Sequence, residues 1–367
     1  MIIAKIEIYK FSIPMVPFTI ATGTMSFAQN LLVKLYTNEG IVGVGECSAF
    51  PMIVGETQTT CFEMAKEFAQ IWIGKNALDI EARLQELDWF TAFNYTAKSA
   101  FDLALYDIAA KNANKPLYAF LGGQKRAIES DLTIGINTPT IMAQQAIEFV
   151  SKGVNILKVK LGKNPFDDIK RIKAIREAIG YATIIRIDAN QGWNFDDANM
   201  ALNGLEQYKI EFCEQPMRTY NNHLLPQLLA NTAIKIMADE SVYTHYDAQQ
   251  IIANKAAHYI NIKFAKSGGI SEAKKIIEVA TQHQIPCMMG GMLESRVALT
   301  AKVHFAMANN QIQFYDLDTC LLGHKIDPVI GGVQYNGMQL LLNDKIGIGA
   351  DVQQDFLESL EQVTIEL

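Results

Sequence analysis

The sequence predicts an α/β fold: a (β/α)8-type barrel preceded by an N-terminal α+β domain. Three observations predict it. From about residue 128 onward, short β-branched runs alternate with amphipathic helical stretches. Eight such runs are present, at 131–135, 156–160, 183–188, 210–214, 234–239, 259–263, 286–289 and 313–316. The polar residues at their ends recur at a near-constant interval. Lys160 to Asp188 is 28 residues, Asp188 to Glu214 is 26, Glu214 to Asp239 is 25, and Asp239 to Lys266 is 27. A barrel of about 250 residues needs roughly 31 per unit, less where loops are short. A doubly wound open sheet also alternates, but the Gly-rich phosphate turn that usually follows its first strand is missing.

The N-terminal unit reads differently. Ile6, Ile8 and Phe11 alternate with Lys5, Glu7 and Lys10, a strand pattern. Leu31 to Tyr36 is a second strand. Asn38-Glu39-Gly40 supplies turn chemistry, and Ile41 to Gly45 returns as a third strand. Helical patterns follow at about 57–73, 79–91 and 95–112. Gly122-Gly123 closes the unit, so the expected boundaries are 1–125 for this domain and 126–324 for the barrel. The tail, 325–367, holds Gly331-Gly332, Gly347 and Gly349 among short apolar runs and is expected to pack back on the first domain.

Composition narrows the function. Of 367 residues, 49% are hydrophobic and 19% charged, ample for a large core. The net charge of -7, without a Lys/Arg run, argues against nucleic acid and anionic membranes as partners. Five cysteines, odd in number and without a C-x-x-C pair, give no disulfide framework and no thiolate zinc site. No signal-like N-terminus and no apolar run of about 18 residues appear, so a soluble cytoplasmic protein is expected.

Residues at the C-terminal ends of barrel strands converge on one mouth. Three successive strands end in acids: Asp188, Glu214 and Asp239. Each alone reads equally well as a helix cap or surface partner. Three carboxylates aimed at one point, however, need a cation, and oxygen-only ligation favours Mg²⁺, with Mn²⁺ as substitute, over zinc. Lysines flank the acids: Lys158 and Lys160 before them, Lys266 after them. A lone lysine after a strand usually meets solvent. Lysines on strands two and six of a closed barrel instead face each other across the lumen. A desolvated Lys beside a divalent cation has a lowered pKa and can act as a base. This set suits removal of a proton α to a metal-bound carboxylate, with charge moving onto its oxygens as an enediolate. A second lysine returning the proton on the other face gives racemisation or epimerisation. A Schiff-base aldolase is the reading from another class; it needs one buried lysine and no acid triplet.

Several motifs together resemble the enolase superfamily, muconate-lactonising subgroup, and most closely its dipeptide epimerase family. They are Ser99 to Lys111 with Lys115-Pro-Leu, Lys158-Val-Lys160, Arg186-Ile-Asp188-Ala-Asn190, Glu214-Gln-Pro216, Ala238-Asp239-Glu240-Ser241 and Asn261-Ile-Lys263-Phe-Ala-Lys266-Ser-Gly-Gly269. The resemblance implies an enolase-like modified TIM barrel with an N-terminal capping domain. It implies Lys160 and Lys266 as the two bases of a 1,1-proton transfer. It also implies one Mg²⁺ per subunit on Asp188, Glu214 and Asp239. Asp316-Leu-Asp318 resembles the pair that binds a dipeptide's α-ammonium, and two acids two apart can cradle one cation. Thr133, Lys158 and Met292 are the expected further substrate contacts. Glu294, near the seventh strand, is left without an assigned role, structural or catalytic. Relatives acting on Ala-Glu carry an Arg near residue 20, where this chain has Gly23 in an apolar setting with Met25, Phe50 and Ile53. A side-chain carboxylate there lacks a partner and pays desolvation. The expected substrates are small or hydrophobic dipeptides, Ala-Ala-like, inverted at the C-terminal residue. The alternatives are an Ala-Glu epimerase or an o-succinylbenzoate synthase-type lyase. A homo-oligomer is expected.

Overall fold

A computed structural model describes residues 1–367. The first domain is a four-stranded antiparallel sheet in the order β16-β1-β2-β3. Its strands are β1 (Ile3–Ile20), β2 (Gly23–Thr37) and β3 (Val42–Ser48). The fourth is β16 (Gln362–Glu366), the end of the chain, which pairs with β1 from Lys5↔Glu366 to Tyr9↔Gln362. The segment near residue 20 is the tip of a long hairpin. β1 and β2 pair out to Ile20↔Gly23, with a register shift between Pro14 and Phe18. The tip docks on the barrel through Ile136 N–H to Thr19 O at 3.0 Å and Val16 N–H to Gly323 O at 2.9 Å.

The barrel strands are β4 (Leu132–Ile134), β5 (Ile156–Lys160), β6 (Ile184–Asp188), β7 (Ile210–Glu214), β8 (Lys235–Ala238), β9 (Tyr259–Ile262), β10 (Cys287–Gly290) and β11 (Ile312–Asp316). They form one parallel sheet in sequential order. Its two ends, β4 and β11, meet through Asp131 N–H to Tyr315 O at 3.1 Å. Leu317 N–H also donates to Ser130 Oγ at 2.8 Å, and Thr133 N–H to Asp318 Oδ2 at 2.7 Å. The barrel therefore closes through side chains as well as backbone. It is modified at its eighth unit: β11 leads into a single 3₁₀ turn, Thr319–Leu321, with no α-helix before residue 329, and the short helix Gln354–Glu358 comes only near the end of the chain. Short strands β12 (Val329–Gly331), β13 (Gln334–Asn336), β14 (Gln339–Leu341) and β15 (Ala350–Val352) fill the segment before β16.

The helix Tyr95–Asn112 joins the two domains. It is buried on all sides over Thr96–Ala110, which its apolar and small residues permit. Where charge intrudes, it finishes other elements. Asp102 accepts from Ile270 N–H at 2.6 Å and Ser271 N–H at 3.2 Å, capping the barrel helix Ile270–Gln282. Asp107 accepts from Val44 N–H at 2.9 Å and Ile348 N–H at 2.7 Å, and pairs with Lys111 at 2.7 Å. Close approach to β3 depends on glycine: a Cβ on Gly45 would lie 1.9 Å from Ala100 O, and one on Gly43 2.2 Å from Ala104 O. Gly45→Ala is thus expected to destabilise the protein by about 3 kcal/mol through overpacking against backbone. Urea unfolding checks this, and an unchanged midpoint would mean the helix can back away freely.

Candidate active site

Alternation along the strands sorts the barrel interior into layers. The lower layer is Phe212, Met237, Met288 and Phe314 packed together, with the Arg186 guanidinium 5.3 Å from the Phe212 ring and 5.2 Å from the Phe314 ring. Arg186 also holds Asp131 at 2.9 Å and Glu211 at 2.7 Å. Two residues further along β6, β7 and β8 come Asp188, Glu214 and Asp239, all fully buried. The three sequence-predicted acids therefore share one layer, one step toward the mouth.

Lysines stand between them. The Lys158 ammonium is 2.7 Å from Glu214 Oε2, 3.3 Å from Asp188 Oδ2 and 2.6 Å from Asp316 Oδ2. Lys160 pairs with Asp188 at 2.6 Å. Lys263 pairs with Asp239 at 2.8 Å. Burial pushes Glu214 up to about 8, and the Asp188 charge pushes the same way. Burial would also raise Asp239, but Lys263 and Lys266 hold it well below the usual carboxylate range. Glu214 Oε2 and both Asp239 oxygens accept no well-formed hydrogen bond. Three buried carboxylates in one layer, with no nitrogen or sulfur donor in the set, fit a hard divalent cation, and the oxygens free of hydrogen bonds are held only by lysine charge.

The cavity at the mouth is lined by Lys160, Lys263 and Asn190, by Asp316, Asp318 and Thr133, and by the Gly291–Leu293 segment. Lys266, expected as the second base, is absent from this lining. The reason is its place in the fold. Tyr259, Asn261 and Lys263 share the inward face of β9 and its extension, whereas Lys266 lies in the short helix Phe264–Ser267 that follows. Its ammonium is sealed among the carbonyls of Asp239 (2.5 Å), Val242 (3.0 Å) and Asn261 (3.0 Å), with Asp239 Oδ1 at 2.7 Å. Every proton it carries is committed and no solvent reaches it. The lysine facing Lys160 across the cavity is Lys263, and the Lys266 assignment is corrected accordingly. The signal for it was available: counting by twos from Tyr259 lands on Lys263.

Asp316 and Asp318 reach the cavity with Asp131 behind them; their carboxylate oxygens lie within 4.8 Å of one another. Burial would raise Asp316, but Lys158 and Lys160 hold it down to about 2. Burial and the Asp316 charge push Asp318 up to about 7. Asp131 is engaged by Arg186 and does not line the cavity, so the acids that face it are Asp316, which also pairs with Lys158, and Asp318. Thr133 lies beside them, its N–H on Asp318. Met292 lines the cavity between Gly291 and Leu293.

Of the four residues expected to set specificity, Phe50 and Ile53 line the cavity; Gly23 and Met25 do not. The hairpin contributes Phe18 and Ile20 instead, and Leu322 completes an apolar wall. Gly23 lies against Met52, whose sulfur would be 2.3 Å from any Cβ there. Asn190 and Asn261 were also missed. Asn261 orients Glu214 with a 2.7 Å hydrogen bond, and Asn190 donates to Asp188 at 3.2 Å. Cys213 is core, and all five cysteines are free. No helix is long and apolar enough to cross a membrane.

Both parts of the chain match known family models. Residues 4–122 match the mandelate racemase/muconate lactonizing enzyme N-terminal domain, and residues 141–356 match the enolase C-terminal domain-like family. The D-Ala-D/L-Ala epimerase of Cytophaga hutchinsonii is 40% identical over 100% of both chains. The crystal structure of that organism's dipeptide epimerase with Mg and D-Ala-L-Val superposes over 100% of both chains at a TM-score of 0.98. The hydrophobic dipeptide epimerase of Enterococcus faecalis is 40% identical over 90% of this chain and 94% of its own. The N-succinyl-L-Arg/Lys racemase of Bacillus cereus is 34% identical over 98% of this chain and 97% of its own.

Proposed function

Because the chain belongs to the mandelate racemase/muconate lactonizing family of the enolase superfamily, we propose that it is an isomerase, a Mg²⁺-dependent dipeptide epimerase that inverts the C-terminal residue. The observation that carries this reading is the placement of Lys160 and Lys263 on one cavity with the Asp316–Asp318 cradle between strands β11 and β4. Two amines on opposite walls can remove a proton from one face of a carbon and return one to the other. The cradle receives the free ammonium of the peptide, which fixes the α-carbon of the next residue between the amines. Full-length similarity to the D-Ala-D/L-Ala and hydrophobic dipeptide epimerases supports the same substrate class.

Asp188, Glu214 and Asp239 would hold the metal, which when bound supplies positive charge for the substrate carboxylate and for the negative charge that develops on it. The rest is the work of this chain's own side chains. Lys160 and Lys263 each rest against one of those acids, at 2.6 Å and 2.8 Å, which holds each amine at its own wall of the cavity. One lysine arrives neutral and takes the α-proton; the other arrives charged and gives one back. Asn261 and Asn190 hold the acids in place. Phe18, Ile20, Phe50 and Ile53 exclude water and accept apolar side chains.

The apolar wall supports small or hydrophobic dipeptides. The cationic side chains at the cavity are the two at the reacting carbon, so the side-chain carboxylate of an Ala-Glu substrate would find no dedicated partner. A dianionic lyase substrate without an ammonium would meet Asp316 and Asp318 unpaired, which disfavours the o-succinylbenzoate reading. A homo-oligomer fits the exposed Trp89, Phe90 and Phe93 on the first domain, and a cytoplasmic location fits the free thiols.

Incubation of mixed dipeptide libraries in D₂O with Mg²⁺ tests the activity. Single deuterium incorporation into Ala-Ala-like dipeptides is expected, and none into any free-amine dipeptide would overturn the proposal. Asp316→Asn is expected to raise KM for free-amine dipeptides about 10-fold or more, the loss of one charge-assisted contact. N-acetylated analogues should bind as weakly to the variant as to the unaltered protein. Equal losses on both substrates would remove the ammonium assignment.

A further inference from the structure

The helix Arg296–Ala308 runs down the outside of β10, and all but its first and last residues are buried. In the middle of this apolar helix sits Lys302, 1% exposed. A buried ion pair is commonly neutral or worse for stability than an apolar pair of the same size, so its presence asks for another account. Its contacts supply one. The Lys302 ammonium donates to Gly290 O at 2.9 Å and forms an ion pair with Glu294 Oε1. The other oxygen of Glu294 accepts from Met292 N–H at 2.5 Å. Glu294 is itself 2% exposed. Lys302 thus ties both ends of the turn that carries Gly291 and Met292 past the cavity, one end directly and the other through Glu294. From the opposite side Thr319 Oγ1 donates to Met292 O at 2.8 Å, and Gly291 N–H donates to Asp316 O at 2.6 Å.

We propose that Lys302 and Glu294 are positioning residues: a buried ion pair behind β10 that locks the Gly290–Met292 backbone in the shape the substrate meets. Neither side chain lines the cavity, and both Glu294 oxygens are committed, so Glu294 is no acid or base in the reaction. The inference rests on the epimerase reading only for its substrate. Without Lys302 the Glu294 carboxylate is buried with no counter-charge, turns away to find one, and gives up the Met292 amide.

The test compares Lys302→Met with the double variant Glu294→Gln/Lys302→Met in the full-length protein with Mg²⁺. Two readouts are taken. Deuterium uptake of the peptide spanning 288–296 is followed without substrate, and KM and kcat are measured on Ala-Ala. Lys302→Met should speed uptake in that peptide and raise KM about 10-fold while kcat stays within about 3-fold, a loss of ground-state positioning. The double variant removes both charges and keeps an amide oxygen for Met292 N–H, so uptake and KM should return to within about 3-fold of the unaltered protein. A merely structural role would lower the melting point without that split or that recovery. Unchanged uptake or unchanged KM in Lys302→Met, or a raised KM that the double variant fails to recover, overturns the proposal. Should Lys302→Met fail to fold, Glu294→Ala removes the same acceptor and is held to the same two changes. Failure of the unaltered protein to epimerise any dipeptide would count against the epimerase reading alone, since the uptake measurement involves no substrate.

Discussion

Lys160→Ala and Lys263→Ala are each expected to lower dipeptide epimerisation by about 1,000-fold or more, the usual scale for loss of a positioned general base. The informative result is what survives. Each lysine faces one side of the α-carbon, so each single variant keeps the amine on the other side. In D₂O, Lys160→Ala should still wash out the α-proton of the stereoisomer whose hydrogen faces Lys263, without inverting it. Lys263→Ala should do the same for the opposite stereoisomer. The two variants are thus mirror images in exchange while both are dead in epimerisation. Lys266→Ala is the control that separates the two readings of the β9 end. It leaves three buried carbonyls without their donor and Asp239 with Lys263 alone, a change worth about 3 kcal/mol or more of stability. Its residual activity should show no preference between stereoisomers. Stereoselective exchange in Lys266→Ala together with unselective loss in Lys263→Ala would restore Lys266 as the base. Near-normal epimerisation in both Lys160→Ala and Lys263→Ala would end the two-base mechanism.

The sequence points to Lys266 where the cavity is lined by Lys263, and the reason is physical. The eight barrel strands were legible because a buried strand announces itself by β-branched runs, and the acids at their ends by regular spacing. Register within a strand is legible too, since inward residues alternate. That rule stops where the strand stops, and Lys266 lies one turn of helix past the end of β9. Spacing between strand ends tolerates a three-residue slip that the two-residue alternation does not. The hairpin tip was hidden for a related reason: Pro14, Pro17 and the register shift between Pro14 and Phe18 break the alternation that would have marked β1 as one strand. The cavity wall accordingly uses Phe18 and Ile20, on the near strand, where the reading had placed Gly23 and Met25. Lys302 was invisible on other grounds. A lysine in a helical pattern reads as its solvent face, and only tertiary packing shows that this helix has none. The missing eighth helix falls in the same group, since Thr319–Leu321 carries no periodicity for or against it.

Removal of the metal is expected to abolish turnover, with Mg²⁺ restoring it, and a thermal melt locates the ion without reference to activity. An ion that binds only the folded chain stabilises it by RT ln(1 + [L]/Kd), about 2.7 kcal/mol at a hundred times Kd. The unaltered protein should therefore melt several degrees higher in saturating Mg²⁺ than in chelator. Glu214→Gln is the variant that tests the site. Burial and the neighbouring Asp188 charge push the Glu214 carboxyl up to about 8. An amide of the same shape leaves an oxygen for Asn261 to donate to, but its nitrogen faces the Lys158 ammonium that now contacts Glu214 Oε2. The chelator-treated variant should therefore melt below the chelator-treated parent, and each protein is its own reference for the effect of Mg²⁺. What it loses is a full negative charge when the ion arrives. The Mg²⁺-dependent rise in melting point should shrink to near zero, and epimerisation should fall below about 1% of the parent, because electrostatic stabilisation of the kind the ion supplies is worth several kcal/mol in the transition state. The parallel change at Asp318 serves as the reference: Asp318→Asn lies in the ammonium cradle, outside the acid layer, and should keep the Mg²⁺-dependent rise. If Glu214→Gln retains that rise while Asp318→Asn loses it, the ion sits with Asp131, Asp316 and Asp318, and the cradle, not the layer of Asp188, Glu214 and Asp239, is the metal site.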